Sequence, residues 1–231
     1  MIEAVGLDAD DTLWENETFF RLTESGFAEL LAEHGERADI TRRLYEVERR
    51  NLARYGYGIK GFMLSMVQTA IELTDGRVSA ATIRRILDLG QEMLAHPVQL
   101  IEGVPEVLGA LSDRRLILIT KGDLMDQERK LAASGLADHF DAVEILADKT
   151  PDSYARVLAR HGIAAERFLM AGNSVRSDVL PVLALRGRAA LIPHDLTWEA
   201  EHDDDPADDG FHRLDAIADL PGLIARLDRA R

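Results

Sequence analysis

The second half of the chain alternates between short apolar runs and amphipathic stretches, two of which end at Gly135 and Gly162. The apolar runs occupy 115–120, 141–146, 167–172 and 189–192, and another run, 2–7, opens the chain. Runs of this length are typical of buried strands, and the helices between them act as right-handed crossovers that make the strands parallel. The sequence therefore predicts an α/β fold whose parallel sheet includes the first run.

Residues 16–96 interrupt this pattern. Apolar residues recur there at helical spacing, as in Phe27, Leu30 and Leu31, and no segment has the character of a strand. We therefore expect an all-helical insertion at 16–96, between the two parts of a core domain formed by 1–15 and 97–231.

A glycine- and aromatic-rich segment, 55–62, breaks the helical insertion, and Arg54 and Lys60 lie beside or within it. Such a segment is either a loop that closes over a substrate, with the two cations binding it, or a tight turn whose cations face solvent. The sequence leaves both interpretations open.

The 231 residues carry a net charge of −14 and include no cysteine. The acidic balance argues against nucleic acid as a partner, because binding its backbone requires a basic excess. No apolar run approaches the roughly 20 residues of a membrane span, and no basic leader precedes the first strand. The lack of cysteine excludes disulfides and thiolate metal ligands and fits a cytoplasmic location. The composition leaves the oligomeric state open.

Two carboxylates, Asp8 and Asp10, directly follow the first apolar run. In an extended segment residues two apart point the same way, so these side chains are expected to enter one small volume. Carboxylates this close repel each other unless a proton or a cation lies between them, which indicates a metal site, an acid–base pair or a nucleophile. The alternative is a polar turn that caps the next helix.

The other strands also end in polar residues. Thr120 ends the run 115–120, and Lys121 follows it. Lys149 precedes the helix start at Thr150-Pro151, and the segment 172–178 comes at the end of the run 167–172. Ligands of parallel sheets bind beyond the carboxyl ends of the strands, so these groups are expected to converge. A hydroxyl, lysines and several carboxylate or amide oxygens are suited to hold a phosphoryl group beside a magnesium ion.

These four segments, in this order, resemble the motifs of the haloacid-dehalogenase-like hydrolase superfamily, phosphatase type. Motif one is Asp8-Ala9-Asp10-Asp11-Thr12, motif two ends in Thr120, motif three is Lys149, and motif four runs from Gly172 to Asp178. The resemblance covers nearly the whole chain. It implies a Rossmann-like parallel-sheet core with an inserted helical cap of the C1 type.

The resemblance also implies roles. Asp8 attacks phosphorus and forms an aspartyl-phosphate, while Asp10 protonates the leaving oxygen and then activates water. Thr120 donates a hydrogen bond to the phosphoryl group, and Lys149 neutralises its charge. Lys121 competes with Lys149 for that role, its alternative being a solvated loop lysine. The expected substrate-binding residues are Thr120, Lys121, Lys149, Arg54 and Lys60.

A Mg²⁺ ion is the expected cofactor, with Asp8, Asp10, Asn173 and Asp178 as ligands. The family's phosphatases usually carry aspartate after the motif-four glycine, where this chain has Asn173. An amide oxygen ligates magnesium without contributing charge, so weaker metal binding or an altered metal preference is expected.

The expected function is magnesium-dependent hydrolysis of a small phosphorylated metabolite. Asp10 favours it over dehalogenation, because the family's dehalogenases lack this carboxylate and a leaving halide needs no proton. The alternatives are a phosphomutase and a catalytically weak binding or regulatory protein of the same fold. The acidic segment 201–209 is expected to be a solvated loop, and His194, His202 and His212 to be surface or packing residues.

Overall fold

The computed structural model describes residues 1–201 and 203–229. The chain forms two compact units. The first, here called the sheet unit, comprises Met1–Glu17, Val98–Lys121 and Gln127–Arg231. The second, the helical unit, comprises Thr18–Pro97 and Gly122–Asp126.

A six-stranded, fully parallel sheet organises the sheet unit. Its strands are β1 (Ala4–Leu7), β2 (Arg115–Lys121), β3 (Ala142–Leu146), β4 (Phe168–Gly172), β5 (Arg188–Leu191) and β6 (Phe211–Arg213). They lie in the order β3-β2-β1-β4-β5-β6, so β1 lies between β2 and β4. The predicted α/β fold with a parallel sheet is confirmed. Strand β6 was not predicted from the sequence.

The α-helices are α1 (Glu17–Leu30), α2 (Arg37–Tyr55), α3 (Ile59–Leu73), α4 (Ala80–Ala95), α5 (Val104–Ala110), α6 (Leu124–Ser134), α7 (Pro151–His161), α8 (Leu180–Leu183) and α9 (Leu220–Arg229). Short 3-10 turns occur at Ala32–His34, Ala137–His139, Ala165–Arg167, Glu199–Glu201 and Ile217–Asp219. Among the described residues, no helix has the length and apolar character needed to cross a membrane.

Both faces of the sheet are buried, as the continuous apolar character of its strands predicts. Alternate residues of β2 enter separate cores: Leu116 and Leu118 pack on one face, and Ile117 and Ile119 on the other. The Phe168 ring of β4 packs over Gly6 of β1, where an added Cβ would lie 2.5 Å from the ring, and β1 pairs in parallel with both β2 and β4. This packing holds the carboxyl ends of β1, β2 and β4 side by side.

Helix α7 begins and ends as its sequence predicts. The Thr150 hydroxyl accepts a hydrogen bond from the Ser153 amide, Pro151 is in the first turn, and Gly162 adopts the left-handed conformation after the last turn. The segment after β4 does not begin as a regular α-helix. It forms a π-helical turn, Val175–Val179, followed by the short α8.

The helical unit has its own apolar core, which includes Phe27, Leu44, Phe62, Met66 and Ile86. Its helix α4 starts at Ser79, whose hydroxyl accepts a hydrogen bond from the Thr82 amide. Among the described residues this unit contains no strand.

Candidate active site

One buried ammonium joins two of the predicted motifs at the carboxyl edge of the sheet. Lys149 Nζ lies 2.5 Å from Asp8 Oδ1 and 2.6 Å from Asp178 Oδ1. All three residues are buried, Asp8 being 6% exposed and Lys149 4%. Asp8 follows β1, Lys149 precedes α7, and Asp178 lies in the π-helical turn after β4. The sheet order therefore brings distant parts of the sequence to one cluster.

The cluster carries an excess negative charge, since two carboxylates face one ammonium. Burial, together with the nearby carboxylate of Asp178, raises the pKa of Asp8 from 3.8 to about 7, against the opposing effect of Lys149. Burial alone would lower the pKa of Lys149, but Asp178 and Asp8 hold it well above its ordinary value. Lys149 is therefore a permanent cation beside Asp8.

The tight turn after β1 directs the Asp8 carboxylate toward this cluster. The strand ends at Leu7, and the amides of Thr12 and Leu13 both donate to the Ala9 carbonyl. The Thr12 hydroxyl donates to Asp8 Oδ2 at 3.1 Å, which leaves Oδ1 for Lys149. Each Asp8 oxygen therefore has one donor.

Asp178 is held from two sides. Its Oδ2 accepts a hydrogen bond from the Ser174 amide at 3.1 Å, and the Tyr154 hydroxyl donates to the Ser177 carbonyl beside it. Gly172 makes its position possible, because a Cβ there would lie 2.3 Å from Asp178 Oδ2. Glycine is thus required at position 172 because the Asp178 side chain packs directly against the end of β4.

Asp10 has a different set of hydrogen-bond partners from Asp8, although its charge contributes to the raised pKa of Asp8. Lys130 Nζ lies 2.6 and 2.8 Å from its two oxygens, and Trp14 Nε1 and Gln127 Nε2 donate at 2.7 and 2.8 Å. Burial alone would raise the pKa of Asp10, but Lys130 and the other donors lower it below its ordinary value. The reason for the difference is the turn after Leu7, which ends the extended backbone.

Lys130, Gln127 and Trp14 were not predicted from the sequence as partners of Asp10. The available signal was weak: Gln127 and Lys130 are three apart on α6, so they share one face of the helix that follows motif two.

Thr120 is buried at the end of β2, and the next residue, Lys121, is engaged in a network of its own. Lys121 Nζ donates to Glu201 Oε1 at 2.5 Å and to Ser177 Oγ at 2.8 Å. The other Glu201 oxygen accepts hydrogen bonds from the Ser174 and Ser177 hydroxyls. The solvated interpretation of Lys121 is therefore wrong, and so is the expectation that Glu201 belongs to a solvated loop.

Asn173 is half-buried at the end of β4, and its side chain makes no hydrogen bond within 1–201 and 203–229. In the helical unit, Arg54 is exposed, and Lys60 Nζ pairs with both carboxylate oxygens of Asp123 at 3.0 Å. Both contacts of Lys60 lie within the helical unit.

His194 belongs to a small acidic cluster rather than to the surface. Its Nε2 lies 3.4 Å from a Glu15 oxygen and its Nδ1 3.9 Å from an Asp11 oxygen. Asp11 also accepts hydrogen bonds from the Asn16 and Glu17 amides, so it caps the start of α1 as the alternative interpretation of motif one requires. His212 is partly exposed on β6, and His202 lies outside the described residues.

The model of the haloacid dehalogenase-like hydrolases matches residues 2–184. The chain belongs to this family. Of the solved structures, a haloacid dehalogenase-like family hydrolase from Xanthomonas campestris is 42% identical, with a TM-score of 0.90 over 99% of this chain and 93% of that one. No curated protein matches the chain.

More distant haloacid dehalogenase-like structures share the fold. A 2-haloacid dehalogenase from Pseudomonas syringae pv. Tomato is 21% identical, with a TM-score of 0.64 over 98% of this chain and 100% of that one. A predicted phosphoglycolate phosphatase from Haemophilus somnus is 14% identical, with a TM-score of 0.64 over 96% of this chain and 98% of that one. The comparisons therefore support a hydrolase and do not choose between phosphate and halide chemistry.

The donor set of this haloacid dehalogenase-like hydrolase fits a magnesium ion. Asp8 and Asp178 supply carboxylate oxygens and Asn173 an amide oxygen, which are ligand types that magnesium accepts. The pKa of Asp8 is raised first by burial and then by the nearby Asp178 carboxylate, and a divalent cation would offset both effects. The fourth predicted ligand, Asp10, has both oxygens bonded to Lys130, as Asp178 has its oxygens bonded to Lys149 and to the Ser174 amide.

Proposed function

We propose that this hydrolase is a magnesium-dependent phosphomonoesterase that acts through a phosphoryl group carried by Asp8. The observation that supports it is the Asp10 carboxylate, two positions after Asp8 and fixed by Lys130, Gln127 and Trp14. An alkoxide leaving group needs a proton, whereas a halide does not. A fixed carboxylate beside the nucleophile is therefore useful to phosphoester cleavage and superfluous for dehalogenation.

In the first step an Asp8 oxygen attacks phosphorus, and the bond from phosphorus to the ester oxygen breaks. The leaving oxygen departs as an alcohol with a proton that Asp10 takes from solvent and delivers, because Lys130 and the other donors lower the pKa of Asp10 and keep it ionised at rest. Lys149 balances the negative charge that Asp8 and the phosphoryl group bring together. Thr120, at the end of β2, supplies a hydroxyl for the phosphoryl oxygens.

In the second step a water oxygen attacks phosphorus, and the bond from phosphorus to Asp8 breaks. Asp10 takes the proton of that water and passes it to solvent, so inorganic phosphate leaves and Asp8 and Asp10 are both ionised carboxylates again. Asp8, Asp178 and Asn173 would hold the magnesium ion, which would neutralise charge on the phosphoryl oxygens.

The proposal is tested by assaying wild-type protein and Asp8→Asn against a panel of phosphomonoesters and against 2-chloropropionate. Phosphate and chloride are measured with Mg²⁺ and with a chelator. We expect phosphate release that requires both Mg²⁺ and Asp8, and no chloride release. Chloride release without phosphate release would overturn the proposal in favour of a dehalogenase.

The same assay separates the remaining alternatives. Transfer of phosphate between positions of one substrate, without free phosphate, would indicate a phosphomutase. Binding of phosphorylated ligands without turnover would indicate a binding protein. Either result contradicts hydrolysis as the function.

A further inference from the structure

The contacts of Asp10 involve more groups than a surface carboxylate requires. Lys130 bonds both carboxylate oxygens, Trp14 bonds Oδ1 and Gln127 bonds Oδ2. Lys130 Nζ also donates to Asn16 Oδ1 at 3.1 Å. Because Lys130 reaches both oxygens, it fixes the plane of the Asp10 carboxylate, whereas Trp14 and Gln127 each restrain one oxygen.

These donors are placed there at a cost in stability. Trp14 and Lys130 are 0% and 7% exposed. Gln127 uses its amide nitrogen on Asp10, while its Oε1 is buried with no hydrogen-bond partner among the described residues. An unsatisfied buried acceptor is destabilising, and a buried ion pair is weak evidence for stability. The arrangement is therefore better explained by a need to orient the Asp10 carboxylate than by a need to stabilise the fold.

We infer that Lys130 is a positioning residue for Asp10, a role that rests on the proposed phosphomonoesterase function. Asp10 has to reach the leaving oxygen in the first step and a water in the second. Lys130 holds the carboxylate in one orientation for both. Loss of Lys130 leaves the nucleophile, Lys149 and Asp178 in place, because none of them contacts Lys130 in the described hydrogen bonds and ion pairs.

The two steps depend on Asp10 to different degrees when the leaving group is activated. A dinitrophenolate leaves without a proton, so the first step on dinitrophenyl phosphate does not need Asp10. The second step always removes a proton from water. A defect confined to Asp10 positioning therefore leaves a rapid first turnover of dinitrophenol and slows the later ones.

The test is a rapid-mixing experiment with dinitrophenyl phosphate and Mg²⁺ on full-length wild-type protein, Lys130→Met, Lys130→Arg and Asp10→Asn. Arg167→Gln, which breaks a surface ion pair with Glu3 in the sheet unit, is the control. We expect Lys130→Met to keep the initial burst and to lose about 100-fold in steady-state rate. Asp10→Asn is expected to show the same pattern, and Lys130→Arg to recover most of the rate.

Several outcomes would overturn the inference. Equal losses of burst and steady-state rate in Lys130→Met would show a structural role. Unchanged kinetics would show that Asp10 does not need Lys130. Neither of these two results for Lys130→Met contradicts the proposed function, provided that wild-type protein releases phosphate. A wild-type protein that hydrolyses no phosphomonoester contradicts the proposed function and removes this inference with it.

Discussion

Lys121 Nζ lies 2.5 Å from a carboxylate oxygen of Glu201, although the two residues are separated by 80 positions in the chain. The same carboxylate accepts hydrogen bonds from the Ser174 and Ser177 hydroxyls, and the Arg176 guanidinium donates to the Ala200 carbonyl next to it. Lys121, directly after motif two, and residues of motif four are therefore tied to a segment outside all four motifs.

This tie predicts a pH-dependent contribution to stability. Burial alone would raise the pKa of Glu201, but Lys121 and the two serines lower it below its ordinary value of 4.5. A carboxylate whose folded-state pKa is lowered stabilises the fold above its unfolded pKa, and the stabilisation is lost as pH falls through the folded pKa. Glu201→Gln should therefore cost about 2 kcal/mol near neutral pH.

Thermal unfolding measured from neutral to acidic pH checks this prediction. The difference between wild type and Glu201→Gln should shrink once the pH falls below the ordinary glutamate value. Glu199→Gln, an exposed position in the same 3-10 turn, is the matched control and should have little effect at any pH. A Glu201→Gln effect that is constant with pH would contradict the charge argument.

Gly172→Ala should damage motif four specifically. The added Cβ would lie 2.3 Å from Asp178 Oδ2, so the Asp178 carboxylate has to move. We expect a loss of about 1–3 kcal/mol of stability and weaker Mg²⁺ binding by calorimetry. In Gly109→Ala, by contrast, the Cβ meets nothing within 4 Å, and a helix gains up to about 1 kcal/mol. Unchanged Mg²⁺ binding in Gly172→Ala would separate Asp178 from the metal.

Asn173→Asp should tighten Mg²⁺ binding, since a charged oxygen replaces a neutral one beside a divalent cation. The added charge also repels the Asp8 carboxylate and the substrate phosphate, so the affinity for metal, measured by calorimetry, is the decisive quantity. Asn173→Ala, which removes the amide oxygen, is the matched control and should weaken binding. Equal affinities in all three proteins would place Asn173 outside the metal site.

Arg54→Ala and Lys60→Ala test whether the segment 55–62 recognises substrate. Each variant should raise the KM for the best substrate of the metabolite panel about tenfold, which corresponds to about 1.4 kcal/mol of lost binding. The KM for a small aryl phosphate should change little, because that substrate offers little beyond its phosphate. The exposed pair of Lys60 with Asp123 contributes at most about 1 kcal/mol to stability. Equal effects on both substrates would indicate a structural role.

The sequence predicted the parts of the fold that follow from local periodicity. Five of six strands and the start of α7 could be located because apolar runs and the Thr150-Pro151 cap are contiguous in sequence. The strand β6 has only three residues and follows an acidic stretch, so it carries no periodic signal. The π-helical turn at Val175–Val179 has a wider hydrogen-bond spacing than an α-helix, so the α-helical periodicity of the sequence does not predict it.

The candidate site was predictable only where one motif supplies the residues. Asp8, Lys149 and Asp178 lie just after a strand or just before a helix, and they meet at the carboxyl edge of the sheet. Glu201 and Lys130 could not be predicted, because their contacts depend on tertiary packing. Glu201 lies in an acidic stretch that is typical of solvent-exposed loops, and Lys130 lies on a helix of ordinary polar character.

The proposed mechanism requires that Asp8 carries the phosphoryl group during turnover. Trapping the phosphorylated Asp8 is the most direct test of that requirement. Wild-type protein is mixed with a phosphomonoester labelled on phosphorus, in the presence of Mg²⁺, quenched in acid within one turnover and mapped by peptide. We predict label on the peptide that contains Asp8, its loss on a chase with unlabelled substrate, and no label in Asp8→Asn. If wild-type protein turns over the substrate without label on Asp8, the proposed mechanism is contradicted. Turnover by Asp8→Asn at the wild-type rate would also contradict it.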